Sequence, residues 1–209
     1  MIAATAVLVW LFYAMRPAAM HEVHKWNRAW ADAAIVLLAA LFAIGPLTRL
    51  WPAASRALEW RRELGVWAFV AAVVHVGYYA AEAFDWDVAR FVMDSEHHGP
   101  DGAPVGELSW RRDAWAAGNW VGIMALAYGL IPVLTSNNAS QRLLRGSWKR
   151  LQDHGHIFYV LSLVHLFVFW LLVYDDAGRG PAPALFWVVL LGVAILQTLS
   201  LVRQVVRRS

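Results

Sequence analysis

Apolar runs of 15 to 22 residues, separated by short charged connectors, set the terms for everything else in this chain. A helix of that length is long enough to cross a hydrocarbon core about 30 Å thick. Inside lipid the backbone has no water to bond with, so a lone run must satisfy its own N–H and C=O groups as an α-helix. The expected fold is therefore all-α, a polytopic membrane protein with a bundle of six transmembrane helices in one domain, 1–209. The spans are expected near 2–15, 30–47, 64–84, 115–134, 156–174 and 184–202, with Gly45-Pro46 closing the second and His21 to Arg28 forming a polar connector. The absence of Lys or Arg ahead of the first run favours a retained helix over a cleaved signal peptide.

Charge gives the spans a direction. Arg49, Arg56, Arg61 and Arg62 form one basic cluster, Arg142, Arg145, Lys149 and Arg150 a second, and Arg203, Arg207 and Arg208 a third. By the positive-inside rule all three are cytoplasmic, and both termini with them. The opposite face carries the long loop with Asp85, Asp87, Asp94, Glu96, Asp101, Glu107 and Asp113, and the short turn with Asp175 and Asp176. Many of the tryptophans, among them Trp51, Trp60, Trp110, Trp115, Trp148 and Trp170, fall near span ends, where an indole ring sits at the lipid boundary. The basic residues are juxtamembrane and already explained by topology, so nothing points to nucleic acid.

Two spans carry a histidine deep in apolar sequence. His75 lies 14 residues past Arg61 and His165 lies 15 past Arg150. At about 1.5 Å per residue each imidazole is about 20 Å beyond its own basic anchor. The third and fifth spans run in the same direction, so the two rings stand at one depth. Ionisable residues at such depth are costly and mark function more often than packing. Two facing neutral imidazoles are the outline of a bis-histidine haem site. Glu82, two turns past His75 on nearly the same face, is positioned either for a haem edge or for interfacial water. His154, three turns before His165, shares its face nearer the basic end, while His156 points away. His21, His24, His97 and His98 fall in the connectors on the other side. Gly118, Gly122 and Gly129 make a small-residue stripe on the fourth span, the signature of close helix packing.

The chain has no cysteine, which excludes thiolate-held iron–sulfur clusters, disulfides and covalent haem attachment. No glycine-rich phosphate loop follows a strand pattern, so a built-in nicotinamide or FAD domain is not indicated.

The runs RRELGVWAFVAAVVH, Arg61 to His75, and TSNNASQRLLRGSWKRLQ, Thr135 to Gln152, followed by His165, resemble the ferric-reductase-like transmembrane domain. Within it they are most similar to the haem-binding membrane subunit of the periplasmic methionine sulfoxide reductase system. The resemblance extends from about Trp30 to the end of the fifth span. It implies one haem b with His75 and His165 as axial ligands of its iron, in a bacterial inner membrane. It also implies a cytoplasmic flavin reductase or the quinone pool as electron donor, with FMN or a quinone as further cofactor, and an external redox enzyme as acceptor. The chain departs from that pattern at Gln152, where the family motif ends in histidine, which questions an inner cofactor site unless His154 substitutes. The acidic loop is also longer than that subunit would have. Two other readings stay open: a transmembrane ferric or cupric reductase acting on the metal ion directly, and a non-redox scaffold or transporter in which the two histidines pack or relay protons.

Overall fold

The computed structural model describes residues 1–95, 97–98, 104–173 and 182–206. Among these, seven α-helices follow one another: α1 (Ile2–Ala14), α2 (Glu22–Leu50), α3 (Arg61–Phe84), α4 (Ala114–Leu134), α5 (Asn138–Leu144), α6 (Gly146–Val168) and α7 (Ala182–Val206). A π-helical turn, Phe169–Val173, continues α6. The architecture is the expected all-α polytopic one. α2, α3, α4, α6 and α7 are long and apolar enough to cross a membrane, and α1, at 13 residues, is the shorter sixth apolar helix. Tyr174, Asp175, Asp176, Glu96, Asp101, Arg207 and Arg208 lie outside the described residues.

α2 is the central helix, packed by α1, α3 and α7 and touched by α6, while α4 pairs with α6. The core holds Leu37, Leu38, Phe42, Ala68, Phe158, Tyr159 and Leu163. Large apolar side chains such as Val188, Leu172 and Trp10 remain exposed on the outside of the bundle, as lipid-facing positions of a membrane helix do.

Of the boundaries that differ from expectation, three have a clear local reason. α2 starts at Glu22, not at Trp30, so the polar connector His21 to Arg28 is helical almost throughout. Its charges are met sideways: Lys25 Nζ donates to Glu22 Oε1 at 2.8 Å and Tyr13 Oη donates to Glu22 Oε2 at 2.6 Å, while His21 Nδ1 caps the helix by accepting from Val23 N. At the other end α2 runs through Pro46 to Leu50. A proline removes the donor for the carbonyl four residues back. Gln197 Nε2 of α7 supplies that donor, reaching Phe42 O at 3.4 Å. Arg203 Nη1 then closes the helix on Arg49 O and Leu50 O.

α6 starts at Gly146, ten residues before the expected span, after a sharp turn at Arg145 with φ of 44°. Its first turns cap α4. Trp148 Nε1 donates to Thr135 O at 2.9 Å, and Gln152 Nε2 donates to Pro132 O at 3.1 Å and Thr135 Oγ1 at 2.8 Å. Gln152 thus has a structural task of its own, capping the end of α4.

The acidic loop is ordered in its described parts by two short antiparallel ladders, β1 (Met93–Asp94) with β4 (Ser109–Trp110) and β2 (His97–His98) with β3 (Pro104–Val105). α3 enters this loop through Asp85 and Trp86, both left-handed at φ of 50° and 65°, with Trp86 N bonded back to Ala80 O. The ladder leads to Asp113, whose carboxylate caps α4 through Ala116 N at 2.9 Å. Arg111 bridges Asp94 and Asp113 and lies over the Trp115 ring, 5.8 Å from its centroid.

Candidate cofactor site

His75 on α3 and His165 on α6 meet inside the bundle, their ring centroids 6.2 Å apart and their planes at 75°. Each ring is held through Nδ1. His75 Nδ1 bonds Asn27 O of α2 at 2.9 Å, and His165 Nδ1 bonds Gly118 O of α4 at 2.8 Å. A carbonyl only accepts, so both Nδ1 atoms carry the proton and both Nε2 lone pairs are left for a metal. Histidine ligands are commonly held by such a bond from their second nitrogen, which fixes tautomer and ring direction.

Small residues make this geometry accessible. A Cβ built on Gly122 would stand 2.8 Å from His165 Nδ1, and one on Gly118 would stand 2.5 Å from the Phe169 ring. The glycine stripe on α4 is therefore more than a helix-packing surface: it is the floor on which α6 lays His165 and Phe169. The π-helical turn begins at Phe169 itself, a widening that recurs at functional sites. Phe169 packs 4.9 Å from His165 and 5.3 Å from Trp115.

The two histidines line a cavity of about 200 Å³ enclosed by α2, α3, α4 and α6. Among the described residues no group of three or more His, Cys, Asp or Glu side chains is arranged to hold a metal ion. A metal held here would have two protein ligands, and the rest of its coordination must come from a bound chelate. A metal ion shared by both Nε2 atoms would need bonds of about 2.0 Å to each, and a ring separation of 6.2 Å leaves room for one ion between the two side chains.

Of the other expected residues, the cavity wall takes in neither His154 nor Glu82. His154 stacks on Tyr128, centroids 5.9 Å apart, with Nδ1 on Arg150 O, and Glu82 is exposed at the end of α3. His156 packs on Phe42. His24 does line the cavity, at the end near the acidic loop, with its ring 6.1 Å from that of His21.

An ion pair between Arg16 Nη2 and Asp32 Oδ2 was not foreseen. Both side chains line the cavity, and they are only 1% and 3% exposed. Asp32 alone carried a readable signal, an acid inside an apolar span. Asn27, in a polar connector, and Trp115, at a span end, carry no sequence signal that separates them from a solvated residue and an interface anchor.

A model of the family described as ferric reductase like transmembrane component matches residues 28–174, a stretch that contains His75, His165, the glycine stripe and most of the cavity wall. With its multi-pass helical architecture and a half-buried imidazole pair, the chain belongs to the ferric-reductase-like transmembrane family, and its role is that of a membrane redox component.

Proposed function

We propose that the protein is a membrane b-type cytochrome that carries electrons across the bilayer, with His75 and His165 as the axial ligands of one haem. The observation that carries this reading is the pair of Nδ1-anchored imidazoles 6.2 Å apart on the wall of one cavity. Bound there, the haem would supply one-electron chemistry by cycling between ferric and ferrous iron. The chain's own part is to present two neutral Nε2 donors, to hold each Nδ1 proton on a backbone carbonyl, and to keep water off the site with apolar walls such as Leu38, Phe158 and Phe169.

The three basic clusters support a bacterial inner-membrane orientation with both termini cytoplasmic and the acidic loop outside. The site is then in the outer half of the bilayer. His165 is 15 residues beyond Arg150, about 22 Å along α6, so a cytoplasmic flavin reductase or a quinone needs an inner carrier to reach it. FMN or a quinone fits that role better than a second haem, because Gln152 is engaged in capping α4 and His154 in stacking on Tyr128. The external acceptor is a redox enzyme, as in the methionine sulfoxide reductase system that the motifs resemble. Direct reduction of a ferric or cupric ion is the second reading, favoured by the His21–His24 pair at the cavity's outer end.

The test is a reduced-minus-oxidised visible spectrum of detergent-purified protein with a haem-to-protein ratio. Split α and β bands at about one haem per chain, lost in His75→Ala and in His165→Ala but kept in His154→Ala, is the expected result. Full haem occupancy in either of the first two variants, or a folded wild-type protein without haem, would overturn it.

A further inference from the structure

At the end of the bundle away from the acidic loop, α2 and α7 finish side by side and share a second cavity of about 310 Å³, lined by Thr48, Arg49, Pro52, Ser200, Arg203 and Gln204. α2 has 29 residues, which at about 1.5 Å each make about 43 Å, the thickness of a bilayer with its headgroups. Arg49 and Arg203, in the last turns of α2 and α7, are therefore at headgroup depth.

Two cations share this wall with no acid. Ser200 Oγ, fully buried, accepts from Arg49 Nη1 and from Gln204 Nε2, each at 3.4 Å, which draws both side chains to one side. Arg203 commits its Nη1 to Arg49 O and Leu50 O at the end of α2. A guanidinium has five N–H donors in a planar fork, so each arginine keeps donors beyond those bonds. No carboxylate lines the cavity, and among the described residues neither arginine has an ion-pair partner. Topology explains cations near a span end, but not two guanidinium groups sharing one cavity with hydroxyl and amide groups and without a counter-charge. Exposed Trp51, Leu199 and Val202, each next in the chain to a residue of the wall, put lipid-facing apolar surface beside it.

We propose that this cavity binds the phosphodiester headgroup of an anionic phospholipid, with Arg49 and Arg203 as donors to the phosphate and the acyl chains lying along Trp51, Leu199 and Val202. Planar guanidinium forks match phosphate oxygens in pairs, and basic pockets between membrane helices bind such headgroups. Inorganic phosphate offers the same oxygens but has no use for the apolar surface beside the cavity, which favours the lipid. A lipid held here joins the end of α2 to the end of α7, a helix beyond the 28–174 stretch of the family match. The site is separate from the histidine pair and does not depend on the haem.

The test follows thermal unfolding of the protein in an uncharged detergent by tryptophan fluorescence, with phosphatidylglycerol, phosphatidylcholine or inorganic phosphate titrated in. A ligand that binds only the folded state raises the melting temperature. Phosphatidylglycerol is expected to do so saturably, and the other two are not. Arg49→Gln should need roughly tenfold more phosphatidylglycerol for half the shift, as loss of a charged hydrogen bond implies. Arg56→Gln, exposed on the 3₁₀ helix Pro52–Trp60 and outside the cavity wall, removes the same charge and should titrate as wild type. Gln204→Glu, which puts a carboxylate among the arginines, should abolish the shift, and it decides if Arg49→Gln does not fold. An equal shift with phosphatidylcholine, equal weakening by Arg49→Gln and Arg56→Gln, or wild-type titrations in both cavity variants would overturn the site. Displacement of the lipid by inorganic phosphate at an equal shift would overturn the lipid as its ligand. Haem content bears on neither result, so the cytochrome reading stands or falls separately.

Discussion

Asn27 and His75 hold each other by two hydrogen bonds that run in opposite directions. Asn27 Nδ2 donates to His75 O at 2.9 Å, and His75 Nδ1 donates to Asn27 O at 2.9 Å. The first tethers α3 to α2, and the second aims the imidazole. Only the first uses the asparagine side chain. Asn27→Ala is therefore expected to cost about 1 kcal/mol of stability, the worth of one hydrogen bond, while leaving the ring anchored on backbone. A thermal melt in detergent beside a haem-to-protein ratio checks it: a melting point lowered by a few degrees at unchanged ratio is the expected pair of results. Loss of haem in this variant would mean that the side-chain bond, not the carbonyl, sets the ring.

The glycines of α4 and α3 should respond oppositely to the same added methyl group. At Gly122 a Cβ would stand 2.8 Å from His165 Nδ1, whereas at Gly77 nothing lies within 4 Å. Gly122→Ala should force the His165 ring off Gly118 O, at a cost of about 1–3 kcal/mol for overpacking, and sharply lower haem content. Gly77→Ala, in the interior of α3, should stabilise by about 0.5–1 kcal/mol through the better helix propensity of alanine. Visible spectra and melting curves on the two variants side by side read both effects. Equal behaviour of the two would remove the floor role given to Gly122.

Which of these features could be read from sequence depended on whether the partner was local. The pairing of His75 with His165 was legible, because each is offset from its own arginine by nearly the same number of residues along a straight helix. The six apolar helices were legible for the same reason. The passage of α2 through Pro46 was not, because the rule that a proline ends a helix holds only until a distant donor appears, and Gln197 comes from the last helix. Gly122 read as one member of a packing stripe, since nothing local says that a histidine from α6 will lie across it. Asp32 carried its signal in the open, an acid in an apolar span, but its partner Arg16 sits in a connector whose path no pattern fixes.

Asp113 should make the entry to α4 sensitive to acid. Its carboxylate accepts from Ala116 N as the helix cap, and the hydrogen bond from Arg111 is the main cause that holds its pKa below the ordinary carboxylate value. A group whose folded pKa is depressed contributes stability that is present above the unfolded pKa, about 3.9, and is lost as pH falls through the lower folded value. Asp113→Ala is expected to cost about 1 kcal/mol at pH 7, as for other N-caps, and less near pH 3. Melting curves at the two pH values check this. A penalty that persists undiminished in acid would assign the effect to packing of the loop.

The Arg16–Asp32 pair should behave unlike the other ion pair of α2. Both its side chains are almost fully buried, whereas in Lys25–Glu22 the glutamate side chain is 60% exposed. Water screens the exposed pair, so Glu22→Gln should shift stability by no more than about 1 kcal/mol. Asp32→Asn takes the counter-charge from a guanidinium held in the bundle interior, and breaking a buried pair from one side costs about 3–5 kcal/mol. The cost belongs to the orphaned charge more than to the lost attraction. Replacing both residues, Arg16→Met with Asp32→Leu, should therefore recover most of it, since two well-packed apolar side chains often match a buried ion pair. Thermal unfolding of the two single variants and the double one in detergent decides the matter. Additive losses, with the double variant worse than either single one, would show that each residue acts alone and that the pair does not bind the connector after α1 to α2.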